Sequence, residues 1–170
     1  MRNKNLHIMV ETAVLVALAL LLSLITLWKM PQGGSVSLEM LPIFVLAFRR
    51  GGKVGMAGGA LLGLLKLLIN PYILHPIQVI FDYPLPFALL GAAGFIKESR
   101  LLGVFVGSFL RYITHVISGV VFFGEYAPEG TPALLYSMSY NASYLVVEVI
   151  LVAIVIHLLS KRREIFEPSL

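Results

Sequence analysis

The chain contains no cysteine, and only 13% of its 170 residues are charged. Without cysteine it cannot form disulfides, attach haem through thiols or bind a metal through thiolates. Signatures of energy conversion and hydrolysis are also missing, since there is no G-x-x-x-x-G-K-[ST] loop, no H-E-x-x-H pair and no G-x-S-x-G elbow. We therefore expect no cofactor, no metal site and no catalytic residue, and any energy for active transport must come from a partner or an ion.

Apolar residues, in contrast, make up 58% of the sequence. Because a membrane-spanning helix needs roughly 20 apolar residues, a chain of this length has room for about six. We predict an all-α, multi-pass integral membrane protein of the plasma membrane, with residues 1–170 forming one membrane domain in the lipid bilayer. The net charge of +4 reflects loop placement rather than nucleic-acid binding. The predicted spans cover residues 8–27, 40–48, 54–69, 79–96, 101–123 and 133–159.

The basic residues are distributed unevenly among the connections between these spans. Ten of them lie at the two ends of the chain and in the turns 49–53 and 97–100, whereas the alternate loops hold only Lys29. Basic residues concentrate in cytoplasmic loops. The distribution therefore predicts a six-transmembrane-helix bundle with N and C termini cytoplasmic.

This topology brings polar side chains from four spans to one depth in the outer half of the membrane. We expect the loops 28–39 and 70–78 to lie above them and to contribute Trp28, Tyr72 and His75. A cavity that combines aromatic rings with carboxylates suits a small amphipathic solute with cationic character. The converging side chains are Lys66, Asp82, His115, Tyr136, Tyr140, Asn141 and Glu148.

Several of these residues also have structural interpretations. Lys66 can extend towards the membrane interface, and the aromatic residues can form an interfacial belt. Arg111 and Glu148 can form an ion pair that joins the fifth and sixth spans, while His115 alone can be a packed histidine. We expect separate roles for Arg111 and His115, the first structural and the second in the cavity wall.

Small residues at four-residue spacing predict close helix contacts. Gly55, Gly59 and Gly63 form such a ridge in the third span. Ala13 and Ala17 form a shorter one in the first span.

The sequence resembles the thiamine-specific substrate-binding (S) components of energy-coupling factor (ECF) transporters over nearly its whole length. The resemblance rests on Leu41-Pro-Ile with Phe48-Arg-Arg-Gly51 and on Tyr72-Ile-Leu followed by Asp82-Tyr83. It also rests on His115-xxx-Gly119-Val-Val-Phe-Phe123 and on Tyr136-Ser-Met-Ser-Tyr-Asn141. The family fold is a six-helix membrane bundle with an outward-facing vitamin pocket.

The resemblance implies an acidic residue at position 82 that bonds the aminopyrimidine, with His115 and aromatic residues flanking the rings of the ligand. It also implies that Ala13 and Ala17 dock on a membrane-embedded coupling subunit, which works with two cytoplasmic ATPase subunits. The implied ligand-binding residues are Tyr72, Asp82, Tyr83, His115, Gly119, Phe123, Tyr136 and Asn141.

This sequence departs from the family pattern at several positions. Phe123 stands where the family usually has Trp, Gly33-Gly34 occupies the region of a first-loop Trp, and position 82 is more often Glu. These changes bear on affinity and pose rather than on ligand class. In the docking motif, Leu21 takes the place of a third small residue.

The leading hypothesis is therefore a non-enzymatic subunit that binds thiamine from the outside and delivers it through an ECF-type ABC transporter. One alternative is a self-sufficient, proton-coupled secondary transporter of a small organic cation, in which Asp82, His115 and Glu148 relay protons. Another is a small membrane enzyme that uses His115 and a carboxylate as acid and base.

Overall fold

The computed structural model describes residues 4–69, 71–96 and 98–167. Arg2 and Lys97, which contribute to the charge distribution above, lie outside the described residues. Within these ranges the chain forms seven α-helices, a two-stranded hairpin and short 3-10 segments at Gly91–Phe95, Gly124–Tyr126 and Arg163–Ile165. The α-helices are α1 (Lys4–Leu24), α2 (Met40–Arg50), α3 (Gly52–Lys66), α4 (Pro76–Asp82), α5 (Pro84–Leu90), α6 (Arg100–Phe122) and α7 (Ala133–Leu159).

Four helical segments are long and apolar enough to cross a membrane, namely Lys4–Leu24, Pro76–Phe95, Arg100–Phe122 and Ala133–Leu159. The expectation of an all-α protein with several apolar, membrane-spanning helices is thus confirmed at this level. Helices α2 and α3 have only 11 and 15 residues. At 1.5 Å per residue they are roughly 16 and 22 Å long, shorter than the ~30 Å hydrocarbon core.

The segment predicted as the fourth span is broken at Tyr83 into α4 and α5. Pro84 and Pro86 follow the break, and proline both lacks a backbone N–H and disfavours the helical conformation in the residue before it. Tyr83 accordingly has φ −119° and ψ −85°. The break makes Asp82 the last residue of α4 and places it where the helix direction is interrupted.

Helix α3 packs against this broken segment through its glycines. A side chain on Gly63 would overlap the backbone carbonyl of Tyr83, and one on Gly59 would overlap that of Phe87. A Cβ on Gly55 would come within 2.6 Å of the Cβ of Ala47 in α2. The close packing predicted from these three glycines is confirmed, and it fixes the break at Tyr83 against α3.

The segment between α1 and α2, predicted as a loop, contains a small antiparallel hairpin. Its strands are β1 (Trp28–Lys29) and β2 (Ser35–Val36), with Trp28 opposite Val36. Gly33 and Gly34 turn the chain with φ of 91° and 88°, a region that glycine enters without strain. The sequence indicated the turn but not the strand pairing, which involves only two residues on each side.

The C-terminal segment of the described chain packs against helices α2 and α6. Phe166 is buried against the ring of Phe48, 6.1 Å away, and the guanidinium of Arg100 lies 4.3 Å from the centre of the Phe166 ring. Arg49 pairs with Glu11 of α1 and donates to the carbonyl of Ile165. These contacts join α1, α2, α6 and the C-terminal segment.

We predict that Gly63→Ala lowers the free energy of unfolding by about 1–3 kcal/mol, because the added methyl group must displace the backbone at Tyr83. Thermal unfolding of the purified protein in detergent measures the effect. Ala57→Val on the exposed side of the same helix is the matched control and should leave the melting temperature nearly unchanged. Equal melting temperatures for Gly63→Ala and wild type would contradict the packing argument.

Candidate functional site

A cavity of about 580 Å³ opens among the hairpin and helices α3 to α7. The structure places all eight residues predicted to bind a ligand around this cavity: Tyr72, Asp82, Tyr83, His115, Gly119, Phe123, Tyr136 and Asn141. These residues come from α4, α6, α7 and three connecting segments. The volume of the cavity lies within the roughly 300–1,000 Å³ typical of small-molecule sites.

Asp82 lies in a hydrogen-bonded network on the cavity wall. Gln78, one helical turn earlier on α4, donates from Nε2 to Oδ2 of Asp82 at 2.6 Å. Nδ1 of His115 lies 3.4 Å from Oδ1 of the same carboxylate. Asp82 is therefore held between α4 and α6.

Side chains next to Asp82 also hold the connection from α3 to α4 through hydrogen bonds to its backbone. The hydroxyl of Tyr83 accepts a hydrogen bond from the backbone N–H of Tyr72 at 2.8 Å. Gln78 accepts from the backbone N–H of Leu74 at 3.1 Å and donates to the carbonyl of Tyr72 at 3.1 Å. These bonds fix the backbone that carries the Tyr72 ring.

Aromatic rings form the wall of the cavity near the α6–α7 connection. The rings of Tyr72 and Phe123 lie 5.8 Å apart, and those of Phe123 and Tyr126 lie 6.1 Å apart. The hydroxyls of Tyr72 and Tyr126 are 2.7 Å apart, and this hydrogen bond raises the pKa of the Tyr126 phenol. The group of rings offers π faces to which a cation is attracted.

Gly119 lets α7 approach α6 beside the cavity. A side chain at this position would overlap the hydroxyl of Ser137, which donates to the carbonyl of Val116 at 2.9 Å. Asn141 donates to the carbonyl of Ser137 at 2.9 Å and accepts from the hydroxyl of Tyr144 at 2.9 Å. Asn141 is thus oriented by two polar groups of its own helix.

The hairpin covers part of the cavity and is attached to α7. The hydroxyl of Tyr140 accepts from the backbone N–H of Gln32 at 2.9 Å and donates to the carbonyl of Gly33 at 3.0 Å. A side chain on Gly34 would overlap the ring of Tyr144. The hairpin side of the cavity wall is therefore held against these two tyrosines.

Four buried or partly buried ionisable residues form a charge cluster: Glu39, Lys66, Arg111 and Glu148. The first three of them also line the cavity. Glu39 is 1% exposed; it pairs with Lys66 and also accepts from Nη2 of Arg111 at 3.2 Å. Nη1 of Arg111 lies 3.6 Å from Oε2 of Glu148. The Arg111–Glu148 ion pair expected from the sequence is confirmed, and Lys66 is held by Glu39.

Arg111 and His115 are also joined directly. Nε of Arg111 donates to Nε2 of His115 at 3.3 Å. The structural role expected for Arg111 agrees with its ion pairs to Glu39 and Glu148, and His115 lines the cavity as expected. The direct contact between the two side chains was not expected from the sequence.

Two of the aromatic loop residues expected near the cavity lie elsewhere. Trp28 is 67% exposed and borders a lateral apolar groove with Leu27 and Val147. His75 stacks on Phe122 at 5.4 Å, and its Nδ1 accepts from the backbone N–H of Ile77 to cap α4. Of the three loop residues named from the sequence, only Tyr72 lines the cavity.

Sequence reasoning missed Glu39 and Gln78. Gln78 lies four residues before Asp82, a spacing that puts two side chains on one helix face, and this signal could have identified it. Glu39 immediately precedes the buried run of α2, where a carboxylate requires a partner. Its partners lie 27 and 72 residues further along the chain, so no local pattern reveals them.

Among residues 4–69, 71–96 and 98–167 there is no group of three or more His, Asp or Glu side chains arranged to hold a metal ion. The site combines the Asp82–His115 pair, a group of aromatic rings and the charge cluster.

Comparison with known proteins places this arrangement among transport proteins. The model of the thiamine transporter protein family (Thia_YuaJ) matches residues 9–167. Thiamine transporter ThiT of Bacillus subtilis is 42% identical over 93% of this chain and 92% of its own length. Thiamine transporter ThiT of Lacticaseibacillus paracasei is 32% identical over 93% of this chain and 89% of its own length.

A solved structure of ThiT from Listeria monocytogenes has a similar fold. It superimposes with a TM-score of 0.89 at 33% sequence identity, covering 98% of this chain and 100% of that structure. The overall helical arrangement of this chain is therefore shared with that protein.

We predict that Glu39→Gln destabilises the protein by about 3–5 kcal/mol, because removing one member of a buried ion cluster leaves the other charges uncompensated. Chemical or thermal unfolding in detergent measures the change. Glu129→Gln, in the exposed connection between α6 and α7, is the matched control and should change stability little. If the two variants were equally stable, Glu39 would not be the residue that neutralises Lys66 and Arg111.

Proposed function

The chain belongs to the thiamine transporter protein family, and we propose that it captures thiamine from the outside as the substrate-binding component of an ECF-type ABC transporter. Family membership confirms the expectation of a transport protein rather than an enzyme. We propose the eight cavity residues predicted from the sequence as its ligand-binding residues.

The observation that carries this proposal is the meeting of a carboxylate, an imidazole and several aromatic rings around one cavity. Thiamine combines an aminopyrimidine ring with a cationic thiazolium ring. In the proposed complex the Asp82 carboxylate accepts a hydrogen bond from the aminopyrimidine, a charge-assisted contact. His115 and aromatic residues flank the rings, and a cation against an aromatic face gains about 2 kcal/mol when desolvated.

The remaining proposed contacts come from α7 and from the connections around the cavity. Asn141 and the tyrosines complete the polar contacts of the ligand. Phe123, in the place of the family's usual tryptophan, offers a smaller π surface than an indole. We therefore expect weaker stacking here with the same class of ligand.

We further propose six membrane spans with both termini in the cytoplasm of a plasma-membrane protein. The uneven distribution of basic residues supports this orientation. Helices α2 and α3 are the two short spans in this arrangement. Most of α2 is buried by protein, which suits a helix that does not reach across the hydrocarbon core unaided.

The proposed partners are a membrane-embedded coupling subunit and two cytoplasmic ATPase subunits. Ala13 and Ala17 are both exposed on α1, which has only Val16 and Ala19 buried within the described chain. Small exposed residues one turn apart let a second helix approach closely. We propose this surface as the docking face for the coupling subunit.

We predict that Asp82→Asn weakens thiamine binding roughly 10- to 100-fold, since a hydrogen bond to a charged group contributes about 1.5–3 kcal/mol. His115→Ala should weaken binding as well. Titration calorimetry on the purified chain in detergent measures both. Glu98→Gln alters an exposed carboxylate that does not line the cavity and should bind like wild type. Absence of saturable thiamine binding by the wild-type chain would overturn the ligand assignment.

We predict that Ala13→Trp impairs thiamine uptake by the assembled transporter while leaving binding to the isolated chain unchanged, because the bulky ring blocks helix contact at the docking face. Uptake into vesicles that contain the chain with its coupling module measures the first effect, and calorimetry measures the second. Leu18→Trp is the control, because Leu18 is also exposed on α1 but lies about 100° or more around the helix from both Ala13 and Ala17.

Two results would contradict the docking proposal. One is equal loss of binding and uptake in Ala13→Trp. The other is uptake by the chain alone in vesicles with a proton gradient, which would favour a self-sufficient transporter.

A further inference from the structure

The protonation of the cavity network follows from its donors and acceptors. The orientation of the Gln78 amide is set by its backbone partners, because its oxygen accepts from the N–H of Leu74 and its nitrogen donates to the carbonyl of Tyr72. The same nitrogen donates to Oδ2 of Asp82 at 2.6 Å. Oδ2 therefore acts as an acceptor.

The imidazole of His115 is constrained from both sides. An arginine side chain has only donors, so Nε2 of His115, which faces Nε of Arg111 at 3.3 Å, must be the unprotonated nitrogen. A neutral imidazole then carries its proton on Nδ1. That nitrogen faces Oδ1 of Asp82 at 3.4 Å and donates to it. Arg111 requires this tautomer, and Asp82 is compatible with it, since both oxygens of Asp82 then accept hydrogen bonds, as those of an ionised carboxylate do.

We propose that Arg111 is a positioning residue that holds His115 neutral, with its proton on Nδ1, and so leaves the negative charge of Asp82 available to a cationic solute. The identity of that solute rests on the function proposed above, whereas the tautomer rests on the hydrogen bonds alone.

The surrounding charges agree with this assignment. In the charge cluster, two carboxylates face two cations, so the formal charges of these four side chains balance. Asp82 is then the unbalanced charge of the network. A protonated His115 would cancel it, and the solute would lose its counter-charge.

Two cations and one carboxylate lie around His115. Its own helix presents Arg111, and α3 presents Lys66, both of which are cations. Helix α4 presents Asp82, while α7 presents the uncharged amide of Asn141, which donates to the backbone carbonyl of His115 at 3.4 Å and accepts from the phenol of Tyr144. An imidazolium would lose the bond from Arg111 and meet a guanidinium in its place.

Nitrogen-15 NMR of histidine-labelled protein tests the tautomer directly in the ligand-free chain. The sequence has four histidines, and the spectrum of His115→Gln identifies the signals of His115. We expect a neutral ring protonated on Nδ1 at pH ~7 and still at pH ~5.5, where an unperturbed histidine is mostly charged. A ring protonated on Nε2, or an imidazolium at pH ~6, would overturn the proposal.

The pH profile of thiamine binding tests the role of Arg111. Wild type should keep nearly constant affinity between pH ~7.5 and ~5.5. Arg111→Met, which has no donor, should lose roughly tenfold over the same range as His115 becomes charged. Arg111→Met/His115→Gln should be insensitive again because glutamine does not titrate.

These measurements distinguish a failure of the proposed role of Arg111 from a failure of the proposed thiamine ligand. Parallel pH profiles for wild type and Arg111→Met would overturn the role of Arg111. If the wild-type chain showed the Nδ1 tautomer but no thiamine binding, the proposed ligand would be wrong and the tautomer assignment would stand. Should Arg111→Met fail to fold, the NMR measurement on wild type still decides between the tautomers.

Discussion

The fold depends on neutralising two cations inside a largely apolar helical bundle, and Glu39 supplies the carboxylate that both of them contact. Its position immediately before α2 lets it reach Lys66 of α3 and Arg111 of α6. A buried charge without a partner costs several kcal/mol, whereas a fully paired cluster costs much less. The cluster therefore favours the packing in which the end of the hairpin segment, α3, α6 and α7 meet.

Close backbone packing determines where the cavity carboxylate lies. Proline residues interrupt the helix after Asp82, and glycines of α3 allow the interrupted backbone to pack directly against that helix. The interruption would otherwise leave unsatisfied polar backbone groups in an apolar setting. Here the Tyr83 hydroxyl and the Gln78 amide hold the preceding connection, so the break becomes part of the cavity wall.

Arg111 links the structural cluster to the binding cavity. On one side its guanidinium contacts Glu39 and Glu148, and on the other its Nε donates to His115. One arginine can do both because its planar group presents five donors in fixed directions. The side chains that stabilise the bundle thereby also set the hydrogen-bonding pattern of the network that faces the solute.

The resemblance to a known family supplied the eight residues that surround the cavity, whereas composition, charge distribution and local motifs by themselves determined the class of this protein and the approximate helix positions. These properties are predictable because apolar run length, proline and glycine act locally along the chain. Only the tertiary structure decided that Glu39 is the shared counter-ion, that Arg111 contacts His115 and that Trp28 lies away from the cavity. Which charges meet depends on how helices pack across wide sequence separations, and no local periodicity encodes that packing.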